Sequence, residues 1–254
     1  MKSRKRPLIA GNWKMNGTGE SLIELHAIAA GLERGAEKHI DALVCLPATL
    51  LSRAAETLQG KTLLLGGEDC HYNDSGAHTG DISATMLKDA GADYVIVGHS
   101  ERRINHHETN AIVRTKAAAA CRAGLQVIIC VGETLQQRES GQTLDVITRQ
   151  CLDALQDDVD ATCLVIAYEP VWAIGTGKTP IPRDVAEVHA GIRDNLYTRF
   201  GLHGNRIRVL YGGSVNPGNA ETLLNIDQVD GVLVGHASLK AADFLAICDV
   251  YRQE

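Results

Sequence analysis

The sequence predicts a (β/α)8 barrel, eight parallel strands closed on themselves and ringed by helices. Three observations carry that expectation. Apolar runs rich in Val, Ile and Leu recur eight times, and they are continuous rather than alternating, as in strands buried on both faces. Segments with helical spacing lie between the runs. Polar residues and glycines gather just beyond the C-terminal ends of the runs, the face on which barrel enzymes build their sites. An open doubly wound sheet shares the first two features. No Gly-x-Gly-x-x-Gly follows the first run, however, and an open sheet would spread the polar residues along one edge where a barrel converges them.

The strand candidates are 8–10, 42–46, 63–65, 94–97, 127–131, 164–167, 207–210 and 232–234. Between them, 20–32 places Leu22, Leu25, Ile28, Ala29 and Leu32 on one helical face. Residues 109–123 are Ala-rich, and 141–155, 184–200 and 241–251 repeat apolar side chains at helical spacing. Ser83 reads as a helix start, and Asp184 with Glu187 three residues on reads as a capping box.

A chain of 254 residues, 44% hydrophobic and 22% charged, suits one barrel as a single domain 1–254, with residues 1–6 a short basic, solvated tail. No apolar segment follows that tail as in a signal peptide, and no 18-residue apolar run could span a membrane. A formal charge of −6 argues against a general nucleic-acid binder. The seven cysteines are odd in number, none is spaced Cys-x-x-Cys, and several sit in apolar runs. Neither a disulfide framework nor a zinc ribbon is expected, and the cytoplasm is the expected compartment.

The strand-six segment carries the sharpest chemistry. Leu164–167 ends on a lone carboxylate, Glu169, followed by Pro170, the apolar Val171, Trp172, Ala173 and Ile174, and then Gly175, Thr176, Gly177 and Lys178. A carboxylate at a strand end beside a stiff segment with flexible joints suits an acid/base and a lid; the same residues suit a surface loop with a solvated Glu. Asn12 and Lys14 follow strand one, although a Lys there is commonly only a solvated end. His99, Ser100, Glu101, Arg102 and Arg103 follow strand four, the arginines also suiting structural ion pairs. Ser214 follows strand seven between glycine-rich residues, and Gly235 and His236 follow strand eight, where barrels commonly bind phosphate through backbone amides. A base, a polarising donor and a cation, with no metal-ligand cluster, nucleotide loop or cofactor lysine in the pattern, suit proton transfer beside a carbonyl; no cofactor and no metal are expected.

The stretches Gly-Asn-Trp-Lys-Met-Asn (11–16), Gly-His-Ser-Glu-Arg-Arg (98–103), Ala-Tyr-Glu-Pro-Val-Trp-Ala-Ile-Gly-Thr-Gly (167–177) and Tyr-Gly-Gly-Ser-Val (211–215) stand in that order. Together they resemble the triosephosphate isomerase family, from about residue 7 to 250. The resemblance implies that Glu169 moves the proton between C1 and C2, that His99 donates to the substrate oxygens, and that Asn12 and Lys14 hold the substrate. It implies a phosphate grip from Gly175, Ser214, Gly235 and His236, with Ser100, Glu101 and Cys130 in support and Glu133 paired with Arg138. That family is itself the standard example of a Glu base beside a neutral His under a water-excluding loop. The resemblance also implies a homodimer through loop 67–82, with Thr79 near the partner's site.

Three departures from the family pattern stand out. His236 replaces a usual glycine, and if its φ is positive it adds strain on the order of 1 kcal/mol. Glu68 and Asp69 replace an amide-bearing pair, so each needs a partner or a proton when buried. Residues 104–107 lack a usual phenylalanine. The implied reaction interconverts glyceraldehyde 3-phosphate and dihydroxyacetone phosphate. The alternatives are the same chemistry on a four-carbon ketose phosphate, to which residue 236 is the pointer, and a non-catalytic phosphosugar-binding protein.

Overall fold

Eight strands, β1 (Leu8–Asn12), β2 (Asp41–Leu46), β3 (Leu64–Gly67), β4 (Tyr94–Val97), β5 (Gln126–Val131), β6 (Leu164–Tyr168), β7 (Arg208–Tyr211) and β8 (Gly231–Val234), each pair in parallel with the next. β8 returns to β1, with Leu8 opposite Gly231, so the sheet is a closed barrel. The computed structural model describes residues 5–156, 159–174 and 180–252. Among these, no helix is long and apolar enough to cross a membrane.

Alternation along each strand explains the continuous runs. Leu8, Ala10, Leu43, Cys45, Ile96, Ile128, Cys130, Val165, Ala167 and Leu210 point inward and fill the barrel. Their neighbours Ile9, Val44, Val95, Val127, Ile129, Ile166 and Val209 point outward into the layer under the helices. Both faces are dry, so neither alternate position can be polar.

The helices are α1 (Leu22–Leu32), α2 (Ala48–Thr57), α3 (Ala84–Asp89), α4 (Ser100–Asn105), α5 (Asn110–Arg122), α6 (Leu135–Glu139), α7 (Thr143–Asp153), α8 (Pro182–Phe200), α9 (Ala220–Leu224) and α10 (Ala241–Cys248). Ser83 caps α3 as expected, accepting the Met86 N–H. Asp184 does not cap α8. Pro182 takes the first helical position, where its missing N–H is harmless, and the Asp184 carboxylate instead pairs with Arg138.

Two other expectations are corrected. Lys5 and Arg6 are not a solvated tail: Lys5 reaches Asp230 at 2.7 Å, and Arg6 reaches Asp41 and the backbone of β2's approach. Cys121, near the end of α5, and Cys163, just ahead of β6, form a disulfide with Cα atoms 6.0 Å apart. The other five cysteines are buried and free, as small apolar residues.

Candidate active site

Glu169 is placed by backbone before its side chain matters. Its N–H donates to the Val131 carbonyl at 2.7 Å, and the Gly212 N–H donates to the Tyr168 carbonyl at 2.7 Å, locking the end of β6 to both neighbours. The approach is so close that a Cβ on Gly132 would lie 1.7 Å from the Glu169 carbonyl oxygen. Gln150, on α7, clamps Gly132 from behind, accepting its N–H at 2.7 Å and donating to its carbonyl at 3.0 Å. Nothing in the sequence pattern singled out Gln150, whose contact is 18 residues away along the chain.

The Glu169 side chain is almost fully buried and turned toward His99. Its Oε2 accepts the Ser100 N–H at 3.0 Å, and its Oε1 lies 2.9 Å from His99 Nε2. His99 stands at the N-terminus of α4, where Nδ1 accepts the Glu101 N–H at 3.2 Å. An acceptor at Nδ1 puts the proton of the neutral ring on Nε2, facing the carboxylate. Burial pushes the imidazole down, but the Glu169 carboxylate outweighs it and holds the group above its ordinary value. Burial likewise pushes the Glu169 carboxyl up, yet His99, the Ser100 amide and Lys14 together hold it below. Both directions belong to one contact. When the carboxylate leaves the ring, burial and the Glu101 amide remain, and both favour neutral imidazole.

Lys14 occupies the left-handed region at φ 56°, unusual for a residue with a Cβ. Its N–H donates to Asn12 Oδ1 at 3.1 Å and its carbonyl accepts from the Asn16 N–H at 2.8 Å. Trp13 below it is pinned by Nε1 donating to the Ser238 carbonyl at 2.9 Å. The ammonium is aimed by Glu101, 2.5 Å from Nζ, so the expected supporting role of Glu101 is geometrically available.

These groups open onto a cavity of about 300 Å³ whose lining includes Asn12, Lys14, His99, Glu169, Ser214 and Gly235. Among the described residues the Gly213 and Ser214 amides have no acceptor, and both residues line this space. His236 also lines it, at the start of a 3-10 turn, His236–Leu239. The residues with Cβ and positive φ among those described are Lys14, His107 and Gln228, so the expected strain at His236 is absent. Its backbone is one any residue adopts, and its imidazole is exposed at the rim. A carboxylate base, an N–H donor, an ammonium and unpaired amides around one cavity can take a carbon-bound proton while charge develops on a neighbouring oxygen.

The sequence model of triosephosphate isomerase matches residues 7–251. The chain belongs to that family. The triosephosphate isomerase of Brucella abortus biovar 1 (strain 9-941) is 61% identical over 247 residues, 97% of each chain. That of Bartonella henselae is 60% identical over 248 residues, 98% of each. The crystal structure of triosephosphate isomerase from Bartonella henselae, at 58% identity, covers 97% of this chain and 99% of its own with a TM-score of 0.91.

In this isomerase the described part of the expected lid segment, up to Ile174, is held at its N-terminal end. Val171–Ala173 form one 3-10 turn after Pro170, and Ile174 reaches the cavity. Trp172 Nε1 donates to Glu133 Oε1 at 2.9 Å, Tyr168 donates to the same oxygen at 3.2 Å, and Arg138 lies over the Trp172 ring at 4.8 Å. Arg138 is also 3.8 Å from Glu133, as the resemblance implied. Gly175, Thr176, Gly177 and Lys178 lie outside the described residues.

The loop after β3 divides its two carboxylates. Asp69 is paired, with Lys116 at 2.7 Å and Arg102 at 2.9 Å, and both cations also hold Glu108 at 2.6 Å. Among the described residues no Lys or Arg forms an ion pair with Glu68, and its Oε1 is buried without a partner. Burial pushes its carboxyl up to about 8, although Lys14 pulls it down through its backbone and its charge. Thr79 is exposed on the outer part of the loop. In the stretch lacking the usual phenylalanine, Ile104 is 57% exposed. It borders a cavity of about 150 Å³ that also touches Cys130 and the back of Glu169. Burial pushes the Cys130 thiol far up, so it sits there as a neutral wall.

Proposed function

We propose that this isomerase interconverts glyceraldehyde 3-phosphate and dihydroxyacetone phosphate with Glu169 as the base. The carboxylate takes a proton from C1 of dihydroxyacetone phosphate as His99 Nε2–H donates to the carbonyl oxygen. The enediolate is steadied by Lys14, with Asn12 orienting it; the O1 hydroxyl proton passes to O2 through His99 Nε2, and Glu169 returns its proton to C2, leaving the aldehyde at C1. The observation that carries this reading is the 2.9 Å approach of His99 Nε2 to Glu169 Oε1 at the mouth of the cavity, beside Lys14. Leaving the ring for the substrate strips Glu169 of the contacts that lower its pKa, making it a stronger base inside the dry cavity. The Ser214 amide, Gly235 and the Gly175 end of the lid take the phosphate, and closure keeps the enediolate from eliminating it.

Turnover in deuterium oxide tests the proton route. Deuterium is expected at the transferred position of recovered product and substrate, because an enediolate whose proton sits on Glu169 exchanges with solvent. Conversion with no deuterium in either pool would refute the route through a side-chain base.

The four-carbon alternative rests on His236, whose exposed imidazole stands where phosphate or a longer chain would pass. His236→Gly is expected to change KM for triose phosphate or tetrulose phosphate by about two- to tenfold with kcat nearly constant, the mark of ground-state binding. Equal KM values for both substrates before and after the substitution would remove residue 236 from the site.

We read the chain as one domain that forms a homodimer through loop 67–82, with Thr79 approaching the partner's cavity. Exposed Met15, Tyr72, Ile82 and Met86 around that loop support a covered face. The charge of −6 gives no reason to expect nucleic-acid partners; five buried free thiols support a cytoplasmic setting, and the Cys121–Cys163 disulfide weighs against it.

A further inference from the structure

We propose that the N-terminal face of the barrel, opposite the rim that carries Glu169, holds a binding site for a short polyphosphate, a chain of two or three phosphate groups. A cavity of about 370 Å³ opens there, and its lining includes Lys5, Arg6, Asp41, Thr162, Arg206 and Arg208. The topology builds it. Asp41 opens β2, Gln126 opens β5, Leu164 opens β6 and Arg208 opens β7, so the starts of four strands border one space. Lys5 enters from the segment ahead of β1, and Arg206 from the turn ahead of β7.

The charges around this space do not balance. Asp41 is shared between Arg6 at 2.5 Å and Arg208 at 2.7 Å, and Asp230 is shared between Lys5 at 2.7 Å and Arg193 at 2.6 Å. Two carboxylates thus serve four cations. Arg206, exposed on the lining, pairs with no carboxylate among the described residues and brings the surplus to three. The next acid, Asp160, is exposed near His203, and its carboxylate accepts the Thr162 N–H at 2.8 Å. The surplus is felt at Lys5. Burial lowers its ammonium against the pull of Asp230, and Arg193 and Arg208 lower it further. A multiply charged anion would relieve that repulsion. Guanidinium forks match phosphate oxygens in pairs, which favours phosphate over a lone halide or carboxylate. No Phe, Tyr or Trp lines the cavity to stack on a base, so the phosphate groups alone are read.

Calorimetric titration with sodium tripolyphosphate tests the site, and does so independently of the isomerase reading. One anion per chain is expected, bound about tenfold or more tighter than orthophosphate and weakening as sodium chloride is raised. Lys14→Met, which strips the rim cavity of its cation, should bind it as the native protein does. Arg206→Gln and Thr162→Glu should each weaken binding by about tenfold or more, and Arg206→Gln should leave isomerase turnover and the thermal unfolding of the anion-free protein unchanged. Adenosine triphosphate should bind within about threefold of tripolyphosphate, because nothing recognises the base. Binding that survives both Arg206→Gln and Thr162→Glu, binding lost in Lys14→Met, orthophosphate bound as tightly, a preference of about tenfold or more for the nucleotide, or no binding at millimolar tripolyphosphate would each overturn the proposal.

Discussion

Glu169→Gln is expected to lower kcat by on the order of 10³-fold, about 4 kcal/mol of barrier, while KM moves by no more than a few-fold. The amide keeps the shape of the side chain and can still accept the Ser100 N–H, which lies 3.0 Å from Oε2 in the native site. What it lacks is basicity. A loss confined to kcat therefore separates proton transfer from substrate binding. The substitution carries a second signature at His99. The carboxylate is the group that raises the imidazole above its ordinary value, against burial and against the Glu101 amide. Removing it should move the His99 titration to lower pH by NMR. A kcat within tenfold of native would reject Glu169 as the base, and an unmoved His99 titration would reject the coupling between the two groups.

Glu68→Gln should stabilise the protein, and increasingly so as pH rises. In the unfolded chain this carboxyl ionises near 4.5, whereas in the fold burial holds it up to about 8. A raised folded-state pKa means that the stability of the protonated form is fully present below about 4.5 and is lost as pH climbs through 8. Above that window the native protein carries a buried carboxylate with an unpartnered Oε1. The amide removes the ionisation, for a gain on the order of 2–4 kcal/mol at pH 8. Each kcal/mol corresponds to about 2–4 °C in Tm for a chain of this size. The advantage should shrink toward zero at pH 5, and dimer dissociation should follow the same pH trend if the loop is the interface. Denaturant midpoints of native and variant that differ equally at pH 5 and pH 8 would contradict this account. Asp69, beside it, is the internal comparison. With Lys116 and Arg102 at hand, its substitution by Asn should destabilise by leaving Glu108 alone to face both cations among the described residues.

Much of this was legible in residues. The run 94–97 coincides with β4, and the other strands differ from their apolar runs by a residue or two at the ends. Most misses are polar or small residues left out of strands that contain them, while Leu63 and Ile207 are apolar residues that fall just ahead of β3 and β7. Asn12 closes β1 because its side chain is needed at the rim, and Gly66 and Gly67 belong to β3 because the neighbouring chains pack too closely for a Cβ. The catalytic candidates were legible for the opposite reason, since charged residues at the ends of dry strands have no structural excuse. Contacts made only by folding were not. Cys121 and Cys163, 42 residues apart, gave no spacing signal for a bridge. At His236 the sequence left a strained and an unstrained backbone both open, and the chain takes the unstrained one, because sequence shows which residue occupies a position but not its φ.

The amides of Gly213 and Ser214 have a consequence for how this site tolerates genetic change. If these amides grip the phosphate as proposed, the grip is encoded by no particular side chain, and exchanging Ser214 for another small residue leaves the donors in place. Its weak points are the positions where a Cβ would displace the chain. At Gly213 that atom would fall 2.2 Å from the Tyr211 hydroxyl, and at Gly212 it would fall 3.0 Å from Glu169 Cγ. A saturation screen across 211–215 should thus divide sharply, permissive at the serine and intolerant at the two glycines. Anion recognition of the proposed kind would be inherited through the absence of side chains rather than through their identity.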